Sequence, residues 1–276
     1  EALFQIAIYA GVPAANTGFS KALGIMRELG IEPSPHPADQ SWHPGVGRSV
    51  FTRSRPKLHA TVRDARSDTP RHTVILSHAL GQDSAMWDLV ANELAATCRV
   101  ICPDTRGHGR SALPTGALSL DDLADDAARL IDEVAGGEPV IWVGLSMGGL
   151  IGQWLGINAG ERLHSLVVCN TAAKIGDPSV WNLRIETVLR DGPAAMVALR
   201  DASIARWFTP AFHEDRADEL AGYRLMMTRQ SLSGYLSTCA ALRDTDFSDV
   251  LPTVTVPTLF VVGDQDGSTP PATVEA

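Results

Sequence analysis

The stretch V-G-L-S-M-G-G-L-I-G, residues 143–152, sets Ser146 between two glycines at a point where the pattern of the chain changes. Residues 139–146 form an apolar run of strand length, whereas residues 147–158 are typical of a helix. Glycine on either side of the serine permits a turn so tight that a Cβ would strike the neighbouring strand or helix. This G-x-S-x-G arrangement predicts a strained strand-to-helix turn that presents the Ser146 hydroxyl as a nucleophile.

Four further apolar runs of strand length accompany this turn along the chain, at residues 72–80, 99–104, 165–171 and 258–264. Strands that are apolar almost throughout are buried on both faces, which is typical of parallel sheets. Residues 118–135 place their large apolar side chains on one helical face and aspartates in the first turn, where the helix dipole favours them. The pattern predicts an α/β fold with a mostly parallel, doubly wound sheet.

Three other segments depart from this alternation of strand and helix. Residues 174–246 have helical patterns only, so we interpret them as a helical cap over the carboxyl ends of the strands, where ligands bind in such sheets. Residues 1–30 predict two short helices that cannot bury their apolar face alone, and residues 31–56 carry five prolines and predict an extended linker. The main α/β domain is therefore expected at 57–276.

Composition excludes several classes of function. The chain has 276 residues, of which 45% are apolar, and its net charge of −9 offers no basic surface for nucleic acid or an acidic membrane. No apolar run is long enough to span a bilayer, and the four cysteines lack the spacing of a zinc site or a disulfide framework. We expect a cytoplasmic protein with reduced thiols that binds a small molecule, and the sequence leaves a homo-oligomer open.

Polar groups near the predicted turn have distinct expected roles. The backbone N–H groups of Met147, at the start of the helix, and Leu80, after an earlier strand, are the expected oxyanion donors. His78 and His108 lie in tight turns after buried strands and precede the serine, which favours structural hydrogen bonds over a catalytic role. Arg106 either fixes its loop or faces the pocket, and the loop is favoured.

Several motifs together resemble those of the 3-oxoadipate enol-lactone hydrolases, a branch of the α/β-hydrolase fold. They are G-L-S-M-G-G-L (144–150), S-H-A-L-G (77–81), D-T-R-G-H-G-R-S (104–111), C-N-T-A-A-K-I-G (169–176) and R-W-F-T-P (206–210). The resemblance covers about residues 57–276, and it implies ring opening of the lactone to 3-oxoadipate without an organic cofactor or metal. Residues 1–30, through I-A-I-Y-A-G-V-P-A-A-N-T (6–17), also resemble the carboxyl end of 4-carboxymuconolactone decarboxylase, which makes this lactone. This resemblance implies a bifunctional protein of the protocatechuate branch of the β-ketoadipate pathway.

The resemblance implies a triad in the order serine, acid, histidine. Ser146 matches the nucleophile, and the G-x-x-D pattern after the last apolar run selects Asp266, with Asp264 as the alternative. All eight histidines precede Asp266, at positions 36, 43, 59, 72, 78, 108, 164 and 213. None has the expected context of a catalytic base, so we expect a chain that is truncated at both ends and hydrolyses little lactone itself.

The lactone carries a free carboxylate, which requires a cation or a set of N–H donors in the pocket. Arg206 is the first candidate, with Lys174 and Arg184 behind it, although each is also compatible with a surface charge. Trp207 is expected in the pocket wall or the core. A general carboxylesterase or a carbon–carbon bond hydrolase of the same fold would use the same triad, and a ligand-binding fragment without turnover is the alternative that is not an enzyme.

Overall fold

The computed structural model describes residues 47–274. The predictions for residues 1–30 and for most of the 31–56 linker fall outside this range. Within it lies a seven-stranded sheet in the order β1-β2-β4-β3-β5-β6-β7. Its strands are β1 (Arg48–Phe51), β2 (His59–Arg63), β3 (Thr73–Ser77), β4 (Arg99–Pro103), β5 (Val140–Leu145), β6 (Leu163–Cys169) and β7 (Thr258–Val261).

Five neighbouring strands of the sheet pair in parallel, in the order β4, β3, β5, β6 and β7. Side chains alternate between two apolar cores, one on each face: Ile75 and Trp142 enter one core, whereas Val74 and Ile141 enter the other. Burial on both faces explains the continuous apolar runs of β3 to β6, because neither face needs polar side chains for water. β7, at the edge of the sheet, is only partly buried. The predicted α/β fold with a mostly parallel sheet is confirmed.

The first two strands were not predicted, and they correct the linker boundary. β1 lies inside the segment assigned to the linker, but it pairs antiparallel with β2, and β2 pairs antiparallel with β4. Three of the four β1 residues are exposed because it is an edge strand, so its sequence shows no apolar run. The sheet-forming part of the chain therefore begins before residue 57.

Helices cover both faces of the sheet. They are α1 (Asp88–Leu94), α2 (Leu120–Leu130) and α3 (Met147–Asn158), with α9 (Pro271–Val274) after β7. A capping box between Ser119 and Asp122 starts α2, which accounts for the aspartates in its first turn. No helix in the described range 47–274 combines the length and apolar character needed to cross a bilayer.

Five helices lie between β6 and β7, within the segment interpreted as a cap. They are α4 (Pro178–Asp191), α5 (Pro193–Trp207), α6 (Pro210–Asp215), α7 (Ala217–Thr228) and α8 (Leu232–Arg243). The cap approaches the sheet loops closely where Gly234 of α8 meets Gly107, and a Cβ on either glycine would collide with the backbone of the other. A cavity lies between this cap and the carboxyl ends of the strands.

Candidate active site

Ser146 occupies the sharp turn between β5 and α3. Its backbone has φ 52° and ψ −110°, a conformation that residues with a Cβ rarely adopt. The Ser146 N–H donates to the Cys169 carbonyl at 2.9 Å, and its own carbonyl accepts from the N–H of Leu150 and the hydroxyl of Thr171, both at 3.0 Å. These contacts hold the strained backbone, and Ser146 lines the cavity.

The two flanking glycines are required by close backbone approach. A Cβ on Gly144 would collide with the carbonyl of Gly148 one turn later, and a Cβ on Gly148 would collide with the Ser77 carbonyl of β3. Each obstacle is backbone, so rotation of a side chain cannot relieve it. The glycine spacing read from the sequence thus reflects the packing of α3 against two strands.

The two expected oxyanion donors are available. Met147 is the first residue of α3, where N–H groups lack partners within the helix, and Leu80 lies in the loop after β3 and lines the cavity. Neither N–H donates a hydrogen bond to any residue in the described range. Two free donors on either side of the serine turn can stabilise a negatively charged oxygen.

The structure separates the two candidate acids, which lie only two residues apart. Asp264 is exposed, whereas Asp266 is 8% exposed and lines the same cavity as Ser146. The carboxylate of Asp266 accepts from Asn170 Nδ2, Thr269 Oγ1 and the Ser268 N–H, each at 2.7 Å. These three donors hold the Asp266 carboxylate in one orientation.

Asn170 is a site residue that sequence reasoning missed. It follows β6 directly, has φ 46° and is 8% exposed, and its Oδ1 has no partner among the described residues. Its amide donates to Asp266 across 96 residues of sequence. An asparagine at a strand end is common, and only the parallel pairing of β5, β6 and β7 puts this one between the serine and the acid.

None of the six described histidines lines the cavity. His78 is fully buried; its Nδ1–H donates to the Ala79 carbonyl at 2.8 Å, and its Nε2 accepts from the Thr105 N–H at 2.9 Å. His108 accepts at Nε2 from the Gly81 N–H at 3.2 Å, so it holds the loop that carries Leu80. Both have the structural role predicted for them.

Burial makes His108 a source of acid instability. Removal from water, with His78 nearby as a second cause, lowers the pKa of His108 to about 3. The unfolded chain takes up this proton near pH 6.5, so stability is complete above that pH and falls as the pH decreases toward 3, by about 1.4 kcal/mol per unit. We expect His108→Gln to weaken the dependence of the free energy of unfolding on pH, measured by urea unfolding between pH 7 and pH 4. His213→Gln, which changes a half-exposed cap residue, should leave the slope as in the parent; equal slopes in all three proteins would contradict the assignment.

Arg106 fixes its loop, as favoured from the sequence. Its guanidinium makes a bidentate pair with the buried carboxylate of Asp126 in α2, with N···O distances of 2.6 and 2.7 Å. The same carboxylate also contacts Arg129, one turn later in α2. Arg106 therefore joins the loop after β4 to a helix on the sheet face, and it does not line the cavity.

The structure corrects the set of candidate cations. Lys174 lies outside the cavity, where it is 44% exposed and pairs with Asp246 at 2.9 Å. A surface carboxylate is its partner, so it is not available to a bound substrate. Arg206 and Trp207 of α5 both line the cavity, and so does Arg184 of α4. Arg184 thus replaces Lys174 as the second cation beside Arg206.

The cavity has a volume of about 290 Å³, and apolar and aromatic side chains form most of its wall. Trp181, Phe208, Met227 and Tyr235 belong to this wall. Within residues 47–274 no group of His, Cys, Asp or Glu side chains could hold a metal ion. A serine in a strained turn, free N–H donors and a buried carboxylate in one apolar cavity can support acyl transfer.

Several known proteins are similar to this chain in sequence and in architecture. A model of the alpha/beta hydrolase family matches residues 74–276. The 3-oxoadipate enol-lactonase 2 of Acinetobacter baylyi is 36% identical over 71% of this chain and 72% of its own. The enol-lactonase structure from Burkholderia xenovorans LB400 has a TM-score of 0.76 at 33% identity, covering 82% of this chain and 85% of that one. A malate-bound thermophilic esterase from Thermogutta terrifontis has a TM-score of 0.73 at 27% identity, with coverage of 83% and 84%. The chain belongs to the alpha/beta hydrolase family.

Proposed function

We propose that this chain carries the site for hydrolysis of 3-oxoadipate enol-lactone to 3-oxoadipate, through an acyl-enzyme on Ser146. The observation that carries the proposal is the strained serine turn in one cavity with a buried, triply hydrogen-bonded Asp266 and two arginines. Relatives at 33–36% identity named enol-lactonases support this substrate. The chemistry is that of a carboxylic ester hydrolase.

The reaction follows from the positions of these groups. The Ser146 Oγ attacks the lactone carbonyl as a base removes its proton, and the N–H groups of Leu80 and Met147 stabilise the developing oxyanion. Collapse of this intermediate breaks the ring C–O bond and expels an enolate, which takes up a proton and becomes the ketone. Because the leaving group stays tethered to the acyl-enzyme, water must attack before the ring closes again.

The proposed base is an imidazole from outside residues 47–274. Asp266 would hold its Nδ1–H and stabilise the imidazolium, as the acid of a triad does. The six described histidines are at positions 59, 72, 78, 108, 164 and 213, and none faces the cavity. His36 and His43 lie outside the described range.

We therefore expect the 276-residue chain to hydrolyse the lactone slowly and to be activated by added imidazole, since general-base catalysis contributes about 10²–10⁴-fold. The measurement is the initial rate with increasing imidazole at constant pH and ionic strength. The double variant His36→Ala, His43→Ala is the control for a base from the undescribed segment before residue 47. Fast turnover without imidazole that survives in this double variant would contradict the proposal.

A general carboxylesterase is the second candidate, and the 27% identity to the Thermogutta esterase favours it. Both activities use the same serine, so only the substrate separates them. We expect higher kcat/KM for the enol-lactone than for neutral p-nitrophenyl esters, because the cavity contains two arginines. A preference for neutral esters would replace the lactonase by the esterase.

The protocatechuate pathway and a fusion with a decarboxylase belong to the same proposal. They rest on the resemblance of the first residues to 4-carboxymuconolactone decarboxylase, and these residues lie outside the described range. We assign no decarboxylase activity to that segment. The hydrolase assignment depends only on the site around Ser146.

A further inference from the structure

Two arginines in the cavity lack the carboxylate partners that most other arginines of the chain have. Arg184 and Arg206 both line the cavity, and neither makes an ion pair within residues 47–274. The two carboxylates of the cavity wall are already engaged. Glu219 accepts from Arg216 at 2.7 Å, and Asp266 accepts from three other donors.

Neighbouring groups hold both guanidinium groups in place. The Arg184 guanidinium lies over the Trp181 ring at 4.8 Å from its centroid and beside the Tyr235 hydroxyl. Arg206 Nε donates to Ser268 Oγ at 2.9 Å, which leaves its terminal nitrogens without a protein acceptor in the described range. Arg206 is partly exposed to solvent and also lines the cavity, which places it where the cavity opens.

The two positive charges act on each other. Partial burial of the guanidinium lowers the pKa of Arg206, and the charge of Arg184 lowers it further. The carboxylate of Asp266 attracts Arg206 and offsets part of this effect, and a bound carboxylate would relieve the remaining repulsion between the two arginines. A guanidinium matches a carboxylate in shape and offers two parallel N–H donors to it.

We infer that Arg184 and Arg206 together bind one carboxylate, and that the cavity accommodates linear dicarboxylates that extend from this pair to Ser146. The inference rests on the proposed function for its second contact. Hydrolysis of a lactone that already has one carboxylate creates another on the carbonyl carbon beside Ser146. The hydrolysis product is then a dicarboxylate with one end at the arginines and the other at the N–H groups of Leu80 and Met147, so it competes with substrate.

Binding to the 276-residue chain tests this inference without turnover. The probe is adipate, compared with hexanoate of the same length and with neutral dimethyl adipate, by calorimetry and by the fluorescence of the tryptophans in the cavity. We expect adipate to bind at least about tenfold more tightly than dimethyl adipate, because the neutral ester offers no charge to the two guanidinium groups. Equal affinity for the two would overturn the inference.

Variants identify the arginines and separate binding from stability. Arg184→Leu and Arg206→Leu should each weaken adipate binding at least about tenfold and leave dimethyl adipate unchanged. If both arginines contact one carboxylate, the double variant should lose less than the product of the single losses. Arg190→Leu in α4 and Arg200→Leu in α5 are matched controls, because each of these arginines pairs with the aspartate that follows it.

The outcomes also separate this inference from the lactonase proposal. Arginine-dependent adipate binding without lactone hydrolysis in imidazole would keep the subsite and reject the lactonase. Hydrolysis with unaltered adipate binding in both leucine variants would keep the hydrolase and reject the subsite. If Arg206→Leu lowers only the stability of the fold, Arg206 serves to brace the loop of Ser268, and the inference is wrong.

Discussion

Ser146→Ala is expected to eliminate the lactone hydrolysis of this chain, both alone and with added imidazole. The alanine keeps the glycine-flanked turn but removes the hydroxyl that we propose forms the acyl-enzyme. Loss of the nucleophile in a complete serine triad decreases kcat by about 10³-fold or more. Here we expect the rate to fall to that of the imidazole buffer, measured with enol-lactone and with a p-nitrophenyl ester.

Ser203 provides the matched control for this substitution. It lines the same cavity and is 4% exposed, yet it lies within α5 and outside the strained turn. Ser203→Ala should therefore retain hydrolysis within about threefold, because surrounding groups and the free N–H donors are unchanged. Imidazole-supported turnover that persists in Ser146→Ala and disappears in Ser203→Ala would show that the nucleophile has been misassigned.

Gly144→Ala is expected to destabilise the fold strongly. The new Cβ would collide with the Gly148 carbonyl oxygen and lie 2.5 Å from the Gly149 nitrogen. Relief requires α3 to move away from β5, which disturbs the larger apolar core as well as the serine turn. We expect a loss of about 3 kcal/mol in the free energy of unfolding, measured in urea.

Gly222→Ala tests the same chemical change where space is open. Gly222 lies inside α7, and an added Cβ would meet no atom within 4 Å. Alanine there should stabilise the chain by about 0.5–1 kcal/mol, because it restricts the unfolded backbone and favours the helix. A Gly144→Ala protein as stable as the parent would contradict the close packing of α3 on β5.

Local patterns in the sequence were sufficient for the central sheet and the serine turn. Each apolar run from β3 to β6 is a contiguous segment that is mostly buried on both faces, so its pattern does not depend on which strands are its neighbours. The run of β7 was also recognised, although β7 is the other edge strand and Phe260 is exposed. The edge strand β1 was missed for the opposite reason. Its residues face solvent, and only hydrogen bonds to β2, some ten residues later in the chain, make Arg48–Phe51 a strand.

The same division holds within the site. The glycines around Ser146 were enough to predict the turn, since the geometry of a tight turn constrains residues two positions away. The two aspartates after β7 have equal chemistry and differ by two positions, so periodicity could not separate exposed Asp264 from buried Asp266. Asn170 was missed because its contact to Asp266 spans 96 residues.

The sequence by itself thus determined the fold class, the strained turn and the position of its serine. These features depend on steric and hydrophobic constraints between residues that are close in the sequence. Only the tertiary structure decided which carboxylate is buried and which cations face the cavity. Lys174 and Arg184 are equally plausible as charged residues of the cap, yet one pairs with Asp246 at the surface and the other lies over Trp181 in the cavity wall. That difference depends on the packing of cap helices against strand ends, and burial and charge pairing are properties of this packing.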